Sequence, residues 1–273
     1  MEPCPWSGAQ LKKLGRHIRD GSDAPPTLPA YSDVMMWYND VAAEVQNAIT
    51  NIEWWPLLEE RSFEVTSRPK TIDTLRQKLA RDHSTPLPSI QDIAGVRFEA
   101  EMCLDEQDAV AVAIAGLFGH DEGAIKDLRN DAHSGYRAVH VWLRLPARVE
   151  VQIRTHLQGT WANMYESAAD HYGRDIRYEW LPEDAEERRM VVALREMSTS
   201  RIAQMESDRN ESKQLHMMAD ENGIAGDSSP RAVAIMSRLG RLRARELSNE
   251  RRMQSDLEEL RRFFEMARQD GRS

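Results

Sequence analysis

The sequence predicts an α/β (α+β) fold: a mixed β-sheet core flanked by helices, with N- and C-terminal helical extensions. Three patterns carry this expectation. Apolar residues recur at helical spacing before residue 60. They alternate with polar residues in four short runs between Phe63 and Ile153, and after Gly173 the helical period returns in charged segments without strand signal. The chain therefore divides into an N-terminal helical extension (1–60), a core (61–175) and a C-terminal helical region (176–273).

A short basic helix is expected from Gln10 to Asp20, ended by Gly21 and the proline-rich linker APPTLPA. Ser32 or Asp33 is suited to cap the next helix, where Val34, Trp37, Tyr38, Val41, Val45 and Ile49 form an apolar stripe. Phe63 and Val65 mark the first strand, and Val96 and Phe98 the second. Val139, Val141, Leu143 and Leu145 mark the third; Val149, Val151 and Ile153 mark the fourth. Between them, Thr71 to Asp82 and Leu104 to Gly116 read as helices. Only Pro146-Ala147 separates the last two strands, a length that suits an antiparallel hairpin. Asp184 to about Asp220 reads as one long amphipathic stretch, broken by NGIAGDSSP. Arg231 to Arg268 forms another, with Met236, Leu239, Leu247, Leu257, Leu260 and Phe264 roughly on one side. That stripe suits packing on the core or on a second subunit, and its heptad is too irregular for a coiled coil.

Composition narrows the class. With 41% hydrophobic and 30% charged residues the chain suits a soluble globular protein with much exposed helix. No apolar run approaches the ~20 residues of a membrane span, and MEPCPWSGAQ has neither the basic nor the apolar part of a secretory leader. Cys4 and Cys103 cannot form a disulfide framework or a thiolate metal site, so a reducing cytoplasm is expected. A net charge of −9 argues against a general nucleic-acid binder. Two local basic segments, Lys12 to Arg19 and Arg238 to Arg252, read first as solvated helix faces.

The polar faces hold the chemistry. If Val149, Val151 and Ile153 face the core, then Glu150, Gln152 and Arg154 share the other side of the strand, as a solvated surface or the wall of a cleft. His140 shares the second face of the preceding strand with Ala138 and Trp142, and Arg97 opposes Val96 and Phe98. Arg68, Lys70, Thr74 and Lys78 gather three cations and a hydroxyl at a helix start. Free N–H groups and the helix dipole favour an anion there, so the cluster suits a phosphate. As a purely structural start it is disfavoured, because its positive charge opposes the dipole. Asp92, at the entry to the second strand, suits either a turn or a magnesium ligand beside phosphate. In Ser134-Gly135-Tyr136-Arg137 the tyrosine is either a loop anchor or a surface on which a base could stack.

In this order, VTSRPKTIDTLRQKL, IQDIAGVRFEAE, HSGYRAVHVWLRLP and VEVQIRTHLQGTWANMYE resemble the synthetase domain of the RelA/SpoT family. The resemblance covers residues 64 to 172 and implies a nucleotidyltransferase-like core that moves a diphosphate from ATP to a ribose 3′-hydroxyl. Arg68 and Arg97 match arginines that sandwich adenine, while Lys70, Thr74 and Lys78 match triphosphate contacts, with threonine where the family usually has serine. Asp92 and Glu150 match the catalytic carboxylates associated with Mg2+, and Glu150 the acceptor of the hydroxyl proton. Tyr136 matches the residue that stacks on the acceptor base; Arg137, His140, Gln152 and Arg154 match polar residues of the acceptor cleft.

Departures bear on the acceptor. Asp131-Ala132 stand where the family commonly has Pro-Lys, leaving His133 or Arg129 as the nearby cations. Gly159, Tyr165 and Glu166 stand where small family members often have asparagine, glutamate and histidine, of which asparagine and glutamate are types that can read a guanine edge. The resemblance therefore implies one of two partners for ATP: a guanine nucleotide, giving (p)ppGpp, or the 3′-CCA end of tRNA, as in toxic relatives. Lys12, Lys13 and Arg16 suit the second. A silent nucleotide-binding scaffold is the third reading, and the retention of both Asp92 and Glu150 argues against it. The C-terminal helices are expected to offer a surface to a second copy or an antitoxin. No hydrolase region is expected, since His120-Asp121 reads as a loop pair.

Overall fold

Capping chemistry sets where each helix begins. Helix α1 (Gly8–Asp20) opens with a capping box in which Ser7 and Gln10 exchange side-chain and backbone bonds, and it closes at Gly21 with φ 65°. Helix α2 (Tyr31–Thr50) departs from expectation: Ala30 occupies the cap position without a side-chain bond. Ser32 and Asp33 fall inside its first turn, where the Ser32 hydroxyl bonds to Asp33 instead. A short helix α3 (Trp55–Leu58), with proline in its first turn, is additional to the helices expected from the sequence. The structure is a computed structural model and describes residues 1–130, 133–221 and 229–270, the side chains of residues 68, 69, 133, 247 and 268–270 excepted.

Five strands form one mixed sheet in the order β1 (Phe63–Pro69), β2 (Ala94–Ala100), β5 (Arg148–Thr155), β4 (Val139–Arg144), β3 (Ile125–Asp127). Strands β1 and β2 pair antiparallel, as do β4 and β5 across the expected hairpin. The additional strand β3 has only three residues, too few to display alternation. Helices α4 (Ile72–Arg81) and α5 (Leu104–Leu117) lie where the sequence predicts them, with Thr71 as the cap of α4.

The chain divides into two compact units. The first comprises Met1–Ala100, Ala109–Lys126 and Val139–Ile153. Here Val34, Val41, Val45 and Ile49 of α2 are buried together with Val96, Phe98, Val141, Val149 and Val151 of the sheet. Phe63 stacks on Phe98 at 5.7 Å, and Trp54 leans on Phe98 at 5.0 Å. Helix α1 is close-packed: a Cβ on Gly15 would lie 2.7 Å from Leu87 Cβ. Arg76 of α4 donates to the Ile18 carbonyl at 3.1 Å.

The second unit comprises Glu101–Asp108, Asp127–Ala138 and Arg154–Ser273. It contains α6 (His156–Tyr172), α7 (Ala185–Glu196), α8 (Ala203–Glu221) and α9 (Pro230–Asp270). A π-helical segment, Met197–Ile202, joins α7 to α8, so the long stretch expected after Asp184 is unbroken. Trp161, Tyr165, Ile176, Leu194, Leu257 and Phe264 form its core. Leu239, Leu257 and Phe264 of the α9 stripe are buried, but Met236 is 55% exposed, lying on the flank of the stripe one turn before Leu239. The Leu247 side chain lies outside the described residues. The Arg238 to Arg252 stretch is not simply a solvated face: Arg238 meets Glu211 at 2.7 Å and Arg245 meets Asp208 at 3.3 Å, both carboxylates on α8. Among the described residues no helix is long and apolar enough to cross a membrane.

Candidate functional site

In the first unit, strand register builds the cluster of basic residues and carboxylates. Pro69 pairs with Ala94, so Lys70, which follows β1, and Asp92, which precedes β2, emerge at the same end of the ladder. Lys78 reaches the same carboxylate from α4. Lys70 Nζ lies 2.5 Å from Asp92 Oδ2 and Lys78 Nζ lies 2.6 Å from Oδ1, so each lysine takes one oxygen. Burial pushes the Asp92 carboxyl upward, but the two ammonium groups reverse this and hold it below its ordinary value. Thr74 stands one helical turn before Lys78, its hydroxyl bonded to the Thr71 carbonyl at 2.9 Å.

Glu150 lies on β5, next to β2 in the sheet. The ladder places His140 opposite Gln152 and Trp142 opposite Glu150, which makes His140 a diagonal neighbour of Glu150. His140 Nδ1 lies 3.2 Å from Glu150 Oε1, and Gln152, two residues along on the same face, donates to Oε2 at 2.9 Å. Burial raises the Glu150 carboxyl, the bonds from His140 and Gln152 and the His140 charge outweigh that, and the net displacement is downward. The charge of Asp92 also acts on Glu150, opposing the displacement, so the two carboxylates are electrostatic neighbours.

Arg97 of β2 lies 3.5 Å from Glu99. Arg68 lies within β1, with its backbone opposite Gly95, and its side chain lies outside the described residues. On the second face of β4 and at the residue before it, His140 and Ala138 are buried, whereas Trp142 is 42% exposed. The His120-Asp121 pair is a structural staple. His120 Nδ1 bonds to the Phe118 carbonyl at 2.9 Å, and Nε2 accepts the Arg144 N–H at 2.9 Å.

In the second unit, Tyr136 meets Arg154. Arg154 Nη2 donates to the tyrosine hydroxyl at 3.0 Å, and its guanidinium carbon lies 5.1 Å from the ring centre. The turn before Tyr136 is strained and pinned: Ser134 has φ 55°, and its hydroxyl accepts the Glu179 N–H at 2.9 Å. Arg137 points away from solvent, with Nη1 2.6 Å from Glu206 Oε2 and Nε bonded to the Arg129 carbonyl at 3.2 Å. Arg129 is itself held by Asp108 and Asp127. Residues 131 and 132 and the His133 side chain lie outside the described residues.

The departures in α6 have structural consequences. Gly159 is buried, and Tyr165 stacks on Trp161 at 4.6 Å while its hydroxyl donates to the Ile176 carbonyl. Glu166 is exposed and paired with Arg177 at 2.9 Å. Sequence reasoning missed Glu206 and Thr155. The T-x-x-Q capping box at the start of α6 was legible for Thr155, whereas nothing local marks Glu206.

Residues 67–175 match the model of the region found in RelA / SpoT proteins. An uncharacterised protein of Mycobacterium tuberculosis is 53% identical over 180 residues, covering 66% of this chain and 64% of the relative, so the match spans under two thirds of that relative's length. Small alarmone synthetase 1 from Bacillus subtilis shares the fold at TM-score 0.50 with 22% identity, over 69% of this chain and 98% of that one. Small alarmone synthetase 2 from the same organism does so at TM-score 0.50 with 18% identity, over 70% and 98%.

Proposed function

We propose that this chain, which carries a RelA/SpoT region, is an ATP-dependent pyrophosphokinase. It moves the β,γ-diphosphate of ATP to the ribose 3′-hydroxyl of GDP or GTP, giving (p)ppGpp and AMP in the cytoplasm. One observation carries the reading: Lys70 and Lys78 converge on Asp92, with Glu150 as its electrostatic neighbour, inside the matched region. Two ammonium groups held together by one carboxylate are preorganised for a polyphosphate, which can take them over without further assembly of charge.

The residues then divide by role. Lys70, Thr74 and Lys78 bind the triphosphate, and Arg68 and Arg97 hold the adenine between planar guanidinium groups. Tyr136 stacks on the acceptor base, and Arg137, His140, Gln152 and Arg154 support the acceptor side. Glu150, held below its ordinary value, is ionised at neutral pH and takes the proton of the 3′-hydroxyl. The new bond joins that oxygen to the β-phosphorus, the bond from the β-phosphorus to the α-phosphate oxygen breaks, and AMP departs with the electron pair. Asp92 and Glu150 fit Mg2+, which takes one or two carboxylates plus phosphate oxygens; bound there it would offset phosphate charge.

A second acceptor, the 3′ end of tRNA, is favoured by two features. Gly159 and Tyr165, at positions where small relatives carry guanine-reading types, serve internal packing here, and Lys12, Lys13 and Arg16 stand exposed on α1. The test is incubation with ATP labelled in its terminal phosphates and, separately, GDP, GTP, ADP and bulk tRNA. Label on a guanine nucleotide, with AMP release abolished by Glu150→Gln, supports the first reading, and label on tRNA alone supports the second. No labelled acceptor with any of them refutes both.

A further inference from the structure

We infer that Glu206, on the C-terminal helix α8, is a positioning residue for the acceptor-side pair Tyr136–Arg154; this rests on the acceptor role proposed above. Glu206 is 4% exposed and its two oxygens do different work. Oε2 lies 2.6 Å from Arg137 Nη1, and Oε1 accepts the Thr155 hydroxyl proton at 2.5 Å. Arg137 directly follows Tyr136, and Thr155 directly follows Arg154. Arg154 in turn bonds to the Tyr136 hydroxyl and lies over its ring. The contacts therefore close a circuit: Glu206 to Arg137, along the chain to Tyr136, across to Arg154, along the chain to Thr155, and back to Glu206.

A closed circuit restricts more than separate contacts do. Tyr136 has a neighbour fixed on one side, and its opposite turn, Ser134-Gly135, is pinned by Glu179 and by close approach to Trp161. Thr155 is doubly committed, because its hydroxyl also accepts the Gln158 N–H as the cap of α6 while its proton goes to Glu206. Helix α8 is itself tied down: Arg209, one turn past Glu206, meets Glu246 at 3.0 Å and Glu250 at 2.6 Å on α9. Helix α8 thus reaches the Tyr136–Arg154 pair through a buried carboxylate. A ring that must stack on a base loses affinity if its orientation has to be ordered at binding, so the clamp acts on acceptor affinity rather than on ATP.

The variant Glu206→Gln keeps the shape and weakens both arms. Expected is a rise of about tenfold in the acceptor KM with the ATP KM unchanged, and faster amide hydrogen exchange in residues 134–138 without faster exchange in 191–202. Replacing the pair together, Glu206→Leu with Arg137→Met, removes the charges without leaving one of them buried alone. This double variant should recover the melting temperature lost in Glu206→Leu while exchange in residues 134–138 stays fast, which a merely structural role would slow again. Unchanged exchange in 134–138 in Glu206→Gln overturns the inference, as does an equal rise in both KM values. Hydrogen exchange needs no substrate, so if the wild-type protein labels no acceptor, the proposed reaction fails while the clamp is still judged.

Discussion

Replacing Gly135 by alanine tests whether the turn before Tyr136 is as closely built as its geometry implies. Gly135 has φ 84°, and a Cβ there would lie 2.9 Å from Trp161 Cζ2 and 3.0 Å from Arg195 Cα. The tryptophan is fully buried, with its indole N–H donated to the Leu194 carbonyl at 2.8 Å, and a backbone Cα cannot swing aside. Left-handed backbone costs a residue with a Cβ about 1–2 kcal/mol, and forcing a methyl into a packed core costs about 1–3 kcal/mol. Gly135→Ala should therefore lose about 2–5 kcal/mol, a fall of roughly 4–20 °C in Tm for a domain of 150–250 residues. Gly116, inside α5 with nothing within 4 Å of its added Cβ, is the control. There alanine should gain about 0.5–1 kcal/mol from helix preference. Thermal unfolding followed by tryptophan fluorescence and by circular dichroism gives both values. A Gly135→Ala protein melting within about 2 °C of wild type would refute the close packing of this turn.

Two further outcomes follow from the titrating groups. Asp92 is depressed by Lys70 and Lys78, so its ion pairs contribute stability that is complete above the unfolded carboxylate range, about pH 4, and is lost as pH falls through the lower folded value. Denaturant titrations should show wild type more stable than Asp92→Asn at neutral pH, with the gap closing only in acid; a gap independent of pH contradicts the lysine clamp. Cys103 is buried, and that burial pushes its thiol up to about 11, whereas Cys4 is partly exposed. Iodoacetamide at neutral pH should label Cys4 alone in the native protein and both after unfolding, and native labelling of Cys103 would count against its placement.

Periodicity is a local property, and what depends on it could be read from the chain alone. The β4–β5 hairpin, the helices α4 and α5, and the shared face of Glu150, Gln152 and Arg154 all follow from alternation or helical spacing over a few residues. The RelA/SpoT motifs are equally local, so the candidate list could be written residue by residue. Limits appear where local signals are short or absent. Strand β3 is three residues long, and α2 begins without a side-chain cap.

Contacts between distant segments obey register and packing, which no local pattern encodes. That Lys70 meets Asp92 depends on Pro69 pairing with Ala94, and a slip of one residue would send these groups to different faces. Arg137 read as a cleft residue, yet its partner Glu206 stands 69 positions later, and the same carboxylate takes Thr155 from 51 positions away. A buried charge must find an opposite charge, but the chain does not announce which one. Folding made that choice, by bringing α8 over the strand end and the Tyr136 turn within the second unit.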